Sequence, residues 1–501
     1  MLQKVRIISR KSHLAQIQAE IVGNKIIEKF PNIEIEYIHK ETQGDIDLNT
    51  PLSEMPEIGV FTNDIRNELL NLNADLAVHS WKDLPVEMEP GTEISATLDR
   101  ADLRDILLFK RSSIAKKEIS LLTSSPRRKE NLSSFLPKAL PSQPDKLEFK
   151  EVRGNIITRI KKLMNSDSDG LVMAKAALDR IIKNESQRFL TEKKEIIKVF
   201  EDLSWMILPV SENPAAPAQG ALAIETRSDD NKILNVLDKI NNKEVFHLVE
   251  KEREILKSYG GGCHQKIGVS YLNLKMGKSL SLRGETEQGK NLKENSFIAN
   301  EKYTDKSLKN IESYYPEKKE DFSLFDRKVI DESSMMLKEI YNSGIYVTRG
   351  NALNDVTVID ESNIIWTSGI KTWLTLSKKG LWINGSSDSL GELESPPENL
   401  FEDLKWYKLT HDLALQDDKK IIPTYKLIRK ELPEDLRDFS HFFWMSSSSF
   451  DYAIEKYPEI KEKSHACGLG RTFEEINKTI PGKVYPYLNY EDWLEKVKQA
   501  K

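Results

Sequence analysis

Short apolar segments, each followed by apolar residues at helical spacing, recur over the first 225 or so residues, and a chain patterned this way alternates strands and helices in an α/β fold. Residues 5–9 read as a strand, Leu14, Ile17, Ile21 and Ile27 follow at helical spacing, and Ile33 to Ile38 alternate as a second strand. That is a βαβ opening. Asp75-Leu76-Ala77-Val78 runs into His79-Ser80-Trp81-Lys82-Asp83, which puts polar residues at a strand's carboxyl end, where ligands gather in open α/β sheets. Gly170–Ala174 and the turn-rich Asn213–Gly220 continue the alternation, while Leu136–Lys146, with three prolines, reads as a loop.

Beyond residue 225 the character changes. Residues 231–257 read as helical, Gly260-Gly261-Gly262-Cys263 as a glycine loop, and Ile267–Arg283 as two alternating strands, which implies a smaller α+β unit. Asn291–Lys328 is charged and reads as an exposed, partly irregular insertion, followed by a helix over about 329–342. A new strand opens at Ile345. The C-terminal region carries an internal repeat: Ile364-Ile365-Trp366-Thr367-Ser368 and Phe442-Phe443-Trp444-Met445-Ser446 each precede a helix-like run and then a glycine-containing turn. At 501 residues, three or four compact units are expected.

A net charge of -5, from 74 Lys+Arg against 79 Asp+Glu, gives no global field for nucleic acid or an anionic membrane, so any anion site is local. The opening Met1–Lys11 has no apolar signal core, and no apolar stretch reaches the roughly 18 residues of a membrane span, so a cytoplasmic protein is expected. Two cysteines, Cys263 and Cys467, cannot build a disulfide framework, and neither has the partners of a metal site. Cys467 reads as a small core hydrophobe.

Arg10, Lys82, Arg127, Arg128, Arg153, Arg159 and Arg180 recur at strand ends and loops, several beside Ser or Thr. Guanidinium forks match carboxylates, so as a set these residues suit a polyanionic small molecule, although any one alone reads more readily as a solvated surface cation. Asp83 at its strand end is placed either to steady a developing cation or to cap the following turn. His79 reads as structural. Cys263 after three glycines reads as a thiol brought close to another surface or as a buried core residue. No glycine-rich dinucleotide or phosphate loop is present. A carboxylate-binding module of the solute-binding type would share the arginines but has no use for Cys263 on a glycine loop.

Taken in order, these segments resemble hydroxymethylbilane synthase, also called porphobilinogen deaminase, over residues 1 to about 344. The motifs are Arg10-Lys11-Ser12, His79 to Asp83, Thr123 to Arg128, Arg153-Gly154-Asn155 with Thr158-Arg159, Ala176 to Arg180, and Gly261-Gly262-Cys263. The resemblance implies two periplasmic-binding-protein-like α/β domains, residues 1–99 with 200–225 and residues 100–199, plus a small α+β cofactor domain over 226–344. It implies a dipyrromethane cofactor bound covalently to Cys263, and four porphobilinogen units added in turn with loss of ammonia. Asp83 and Lys82 would be catalytic. Arg127, Arg128, Ser125 and Asp83 would hold the cofactor, and Arg10, Ser12, Thr123, Ser124, Arg153, Arg159 and Arg180 the substrate. A monomer is expected. The sequence departs from the family pattern at the lid, Glu57-Ile58-Gly59-Val60-Phe61, where a basic position is apolar, and at Trp81, Pro126 and Ala218, usually Met, Leu and Gly.

Residues 345–501 are similar to uroporphyrinogen III synthase, a lyase with two α/β lobes, through Ile345-Tyr346-Val347-Thr348-Arg349, the paired Trp-x-Ser elements and Tyr425, which falls where that family has a tyrosine near its cleft. Asp388 stands near where that family has Thr. The resemblance implies a bifunctional chain, and a non-catalytic C-terminal region is the other reading.

Overall fold

The computed structural model describes residues 2–41, 62–260, 265–309, 311–318, 323–354, 358–414 and 418–500. The chain divides into two compact units: Met1–Pro137, Pro144–Tyr271 and Ser281–Glu294 in the first, and Lys138–Gln143, Leu272–Leu280 and Asn295–Lys501 in the second.

Ten strands of the first unit, β1 (Lys4–Arg10), β2 (Glu34–Lys40), β3 (Leu76–Ser80), β4 (Thr92–Ala96), β5 (Asp105–Lys110), β6 (Glu118–Leu122), β7 (Lys146–Lys150), β8 (Gly170–Ala174), β9 (Leu203–Ile207) and β10 (Leu222–Arg227), form two five-stranded sheets in the orders β2-β1-β3-β10-β4 and β7-β6-β8-β5-β9. In the first, β1 runs parallel to β2 and β3, and β10 antiparallel to β3 and β4. In the second, β6 is parallel to β7 and β8, and β5 antiparallel to β8 and β9. The opening helix, His13–Lys29, starts where the Ser12 hydroxyl accepts from the Ala15 amide, and it buries Val22 and Ile26 with Val5, Ile7, Val78 and Ile224 of the first sheet. The chain leaves that sheet through residues 97–104 and returns through 208–221. Arg100 ties the two crossings together, its Nε donating to the Gln219 carbonyl at 2.9 Å while both Nη atoms bind the buried Glu252 carboxylate.

Three expectations for these regions are corrected. The loop expected from Leu136 begins only at Leu140, because the helix Pro126–Ala139 runs through Pro137 and the burial of Leu132, Phe135, Leu136 and Ala139 outweighs the lost hydrogen bond. The helical stretch at 231–257 is two helices, Asn231–Ile240 and Lys243–Lys257, broken where the Asn242 side chain accepts from the Val245 amide and starts the second. The insertion expected from Asn291 opens instead with a strand. β11 (Gly268–Leu274), β12 (Gly277–Glu285) and β13 (Asn291–Ala299) form a three-stranded sheet, and β13 hides its strand character because only Leu292 and Phe297 are buried along its length.

In the second unit, β14 (Tyr314–Tyr315), β15 (Phe325–Val329), β16 (Gly344–Val347), β17 (Ile364–Thr367), β18 (Gly385–Ser386), β19 (Trp406–His411), β20 (Lys420–Arg429), β21 (His441–Trp444), β22 (Ser464–Gly468) and β23 (Val484–Tyr487) form sheets ordered β15-β20-β19-β16-β17-β18 and β14-β21-β22-β23. Every pair is parallel except β15 with β20. The internal repeat is a strand–helix–strand unit: β17, helix Ile370–Ser377 and β18 in one sheet, β21, helix Ser447–Lys456 and β22 in the other. Trp366 and Trp444 are buried at equivalent places. β14 and β15 lie upstream of the boundary expected at residue 345, yet they pair with β21 and β20, so the C-terminal sheets recruit residues from before that boundary. The helix expected over 329–342 is confined to Glu332–Lys338, since β15 extends to Val329. Cys467 on β22 is fully buried with Phe442 and Trp444, and burial pushes its thiol up. Among the described residues, no helix is long and apolar enough to cross a membrane.

Candidate active site

A cavity of about 550 Å³ in the first unit opens at the carboxyl ends of β1, β3 and β8. β1 delivers Arg10 and Ser12 to it, β3 delivers Ser80, Lys82 and Asp83, and the helix after β8, Lys175–Ile182, delivers Arg180. The turn before helix Ile156–Met164 adds Arg153, and the helix itself Arg159 and Lys162. Among the described residues, the lining cations are these six, Arg10, Lys82, Arg153, Arg159, Lys162 and Arg180, with Arg128, and the lining carboxylate is Asp83 alone.

The short helical turn Trp81–Asp83 is fixed from below. Trp81 and Leu84 are buried, with the Trp81 ring 5.0 Å from that of Phe246, so Lys82 and Asp83 are turned toward the cavity. Arg253 holds the carbonyls of Trp81, Leu84 and Pro85. His79 is structural as expected: its Nε2 lies 2.9 Å from Glu225, which also accepts from Arg66 and Thr92. Burial works to raise the Glu225 carboxyl, but His79 and these donors hold it down at about 2. Lys82 donates to Gln219 Oε1 at 3.2 Å, and burial pulls its ammonium down to about 8 although Asp83 works against this.

On the opposite wall, Arg159 Nε donates to the Gly154 carbonyl at 2.7 Å and Arg180 Nη2 to the Gly220 carbonyl at 2.8 Å, which fixes both forks. Burial lowers both guanidiniums, Arg180 to about 10. Gly154 has φ +112, and a Cβ there would lie 2.7 Å from Thr158 Cγ2, so only glycine lets Asn155 cap the helix behind it by accepting from the Thr158 amide.

Beneath the cavity lies a residue that the sequence reading missed. Asp105, at the start of β5 and fully buried, accepts from Arg127 and Arg128 at 2.7 Å and from Asn213 and Gln219 at 2.9 Å. Burial alone would raise its carboxyl, but the two guanidiniums hold it well below the usual range. The signal was present: an acid opening the apolar run Ile106–Phe109 must have partners.

That network places one of the residues expected to hold the cofactor. Arg127 does not line the cavity, because its Nη atoms are spent on Asp105, Asn213 and the Pro214 carbonyl. Thr123, Ser124 and Ser125 also stay off the lining. Thr123 accepts from the Ser125 amide, Ser124 bridges to the Val152 backbone, and Ser125 accepts from the Arg128 amide. Cys263 and the lid residues Glu57–Phe61 lie outside the described residues. The described ends of the Cys263 loop approach each other, with Gln265 Nε2 donating to the Tyr259 carbonyl at 2.9 Å.

Residues 5–235 match the family model described as porphobilinogen deaminase, dipyromethane cofactor binding domain. The porphobilinogen deaminase of Chlorobium phaeobacteroides (strain BS1) is 35% identical over 280 residues, covering 55% of this chain and 81% of that one. That of Caldicellulosiruptor saccharolyticus is 35% identical over 269 residues, covering 54% and 84%, and a probable porphobilinogen deaminase of Picrophilus torridus is 36% identical over 266 residues, covering 53% and 84%. The chain belongs to the porphobilinogen deaminase family. The deaminase domain takes up roughly the N-terminal half, and its matched segment is the one that binds the family's dipyrromethane cofactor. The cavity fits such a group, since among the described residues its lining cations outnumber its carboxylate and dipyrromethane carries acetate and propionate arms.

One departure from the deaminase pattern has a physical cost. Ala218, where the family has Gly, is fully buried at φ +68, a conformation that disfavours any Cβ. Ala218→Gly is expected to stabilise the deaminase domain by about 1 kcal/mol, read as a raised urea midpoint. An unchanged or lowered midpoint would show that this backbone is not strained.

Proposed function

We propose that the deaminase domain is a hydroxymethylbilane synthase, a transferase that joins four porphobilinogen units into a linear tetrapyrrole with loss of ammonia on a dipyrromethane held by Cys263. The observation that carries this reading is Asp83, the one lining carboxylate among the described residues, facing a wall of cations. When bound through a thioether to Cys263, dipyrromethane supplies the pyrrole terminus to which the first unit is joined. Asp83 accepts from the substrate's pyrrole N–H and stabilises the positive charge that develops as ammonia departs. Lys82 holds a proton beside it and pairs with a substrate carboxylate. Arg10, Arg153, Arg159 and Arg180 orient the acetate and propionate arms as bidentate partners, and Ser12 adds a hydrogen bond. Arg128 reaches the cavity with its direction set by Asp105. Arg127, Thr123, Ser124 and Ser125 hold the wall in shape.

The C-terminal unit we read as a uroporphyrinogen III synthase that closes the linear product. Its sheets, parallel except at β15, the Trp366/Trp444 repeat and the buried Tyr425 support this. Covalent linkage serves the pair, because the free linear product can close spontaneously to the wrong isomer and a tethered cyclase meets it at high effective concentration.

The test is to incubate the full chain with porphobilinogen, oxidise the products and separate the uroporphyrin isomers by chromatography. Type III is expected. Type I alone would overturn the cyclase reading and leave a synthase with a non-catalytic C-terminal unit. No porphyrin at all would overturn both.

A further inference from the structure

Among the described residues, the buried arginines are paired with a carboxylate: Arg66 with Glu225, Arg127 and Arg128 with Asp105, Arg227 with Asp230, and Arg283 with Glu212. This is what desolvated guanidiniums require. Arg349, half-buried, has no such partner among the described residues. It lies two residues beyond the end of β16, and burial lowers its guanidinium, yet its side chain has neither a hydrogen bond nor an ion pair among the described residues.

The neighbourhood repeats the anomaly. β16 and β19 are parallel neighbours, with Val347 opposite Leu409 and the Thr348 hydroxyl bound to the Leu409 carbonyl, so Arg349 and His411 emerge at the same sheet end. A β-bulge pairs Thr410 with Pro423 and then His411 with Tyr425, which sets the imidazole across from the phenol with ring centres 6.1 Å apart. His411 Nδ1 is buried with no partner. β15 brings Arg327, two residues from the partner of Tyr425 and likewise without an ion pair among the described residues. Burial lowers the imidazole, Asp412 opposes this, and the charges of Arg349, Arg327 and Lys408 add to it.

The nearby acids are committed elsewhere. Glu392 neutralises Lys408 at 2.7 Å and Lys419 at 2.6 Å, Asp412 accepts from the Leu427 amide, and Asp326 pairs with Lys430. Among the described residues, Arg349 and Arg327 therefore come together beside His411 with no ion pair to either guanidinium, and Asp412 is the carboxylate whose charge reaches the imidazole.

We propose that Arg349, Arg327 and His411 form a carboxylate-binding site at the carboxyl end of β16 and β19, taking an acidic arm of the linear tetrapyrrole, with Tyr425 closing its side. This rests on the reading that the second unit receives that product. Arg349 is the main fork, and Arg327, on an exposed strand, adds charge from the far side.

Uroporphyrin III, a stable polycarboxylate, is the probe. Hydrogen exchange of the full chain is followed with and without it in wild type, Arg349→Gln and Arg327→Gln. The expected result is protection of the backbone around Arg349 and His411 in wild type, with half-saturation shifted about tenfold to higher porphyrin in each variant, as for the loss of one charge-assisted hydrogen bond. Arg327→Gln, at an exposed position, keeps the test valid if Arg349→Gln fails to fold. Absence of protection in wild type, or the same half-saturation in the variants, overturns the site. If protection depends on Arg349 while only type I porphyrin is formed, the carboxylate site stands and the cyclase reading falls. Type III formation without such protection does the reverse.

Discussion

Asp83→Asn is expected to slow porphobilinogen consumption by about 100-fold to 1,000-fold, the usual cost of removing one electrostatic partner from a developing charge. The amide keeps the shape and one acceptor oxygen but loses the full negative charge in a cavity whose other charged lining groups, among the described residues, are cations. Positive charge forming on the substrate would then meet Lys82 and the surrounding guanidiniums unopposed. Asp83 is exposed to the cavity while Trp81 and Leu84 anchor the turn from the other side, so the fold should be untouched and the urea midpoint unchanged within about 0.5 kcal/mol. A turnover loss below tenfold, with the midpoint retained, would remove Asp83 from the catalytic role.

The second large effect concerns stability. Asp105→Ala is expected to cost about 3–5 kcal/mol, because it strands two buried guanidiniums that share one carboxylate. Asn213 and Gln219 lose an acceptor in the same step. Asp105→Asn should fall between wild type and Ala, since the amide still accepts from one side but cannot balance the charge. Urea midpoints of the three proteins check the order. If Asp105→Ala unfolds within about 1 kcal/mol of wild type, the arginines have found other partners and the network is not what holds the cavity wall.

Much of the first unit was legible because its pattern is local. The β1–helix–β2 opening follows from the spacing of Leu14, Ile17 and Ile21 between two apolar segments, and the position of Lys82 and Asp83 follows from an apolar strand ending at Ser80. The Trp366 and Trp444 repeat was legible for the same reason, each marking a buried strand that feeds a helix. Residues that act through distant partners were not. Arg127 and Arg128 are adjacent and identical in type, yet only Arg128 reaches the cavity, and what separates them is contact with Asn213 and Pro214. β13 and β15 escaped notice because edge-like strands with charged exposed faces carry little hydrophobic alternation.

The recruitment of β14 and β15 into the C-terminal sheets governs how this protein can be dissected. A fragment begun at residue 345 would strip β20 of the five residue pairs from Phe325 with Arg429 to Val329 with Tyr425, and β21 of its contacts with Tyr314 and Tyr315. Two raw backbone edges would then face water, one on each sheet, and such edges invite self-association between copies. An excised C-terminal half that precipitates would therefore say nothing about its chemistry, and a workable fragment has to begin upstream of Tyr314.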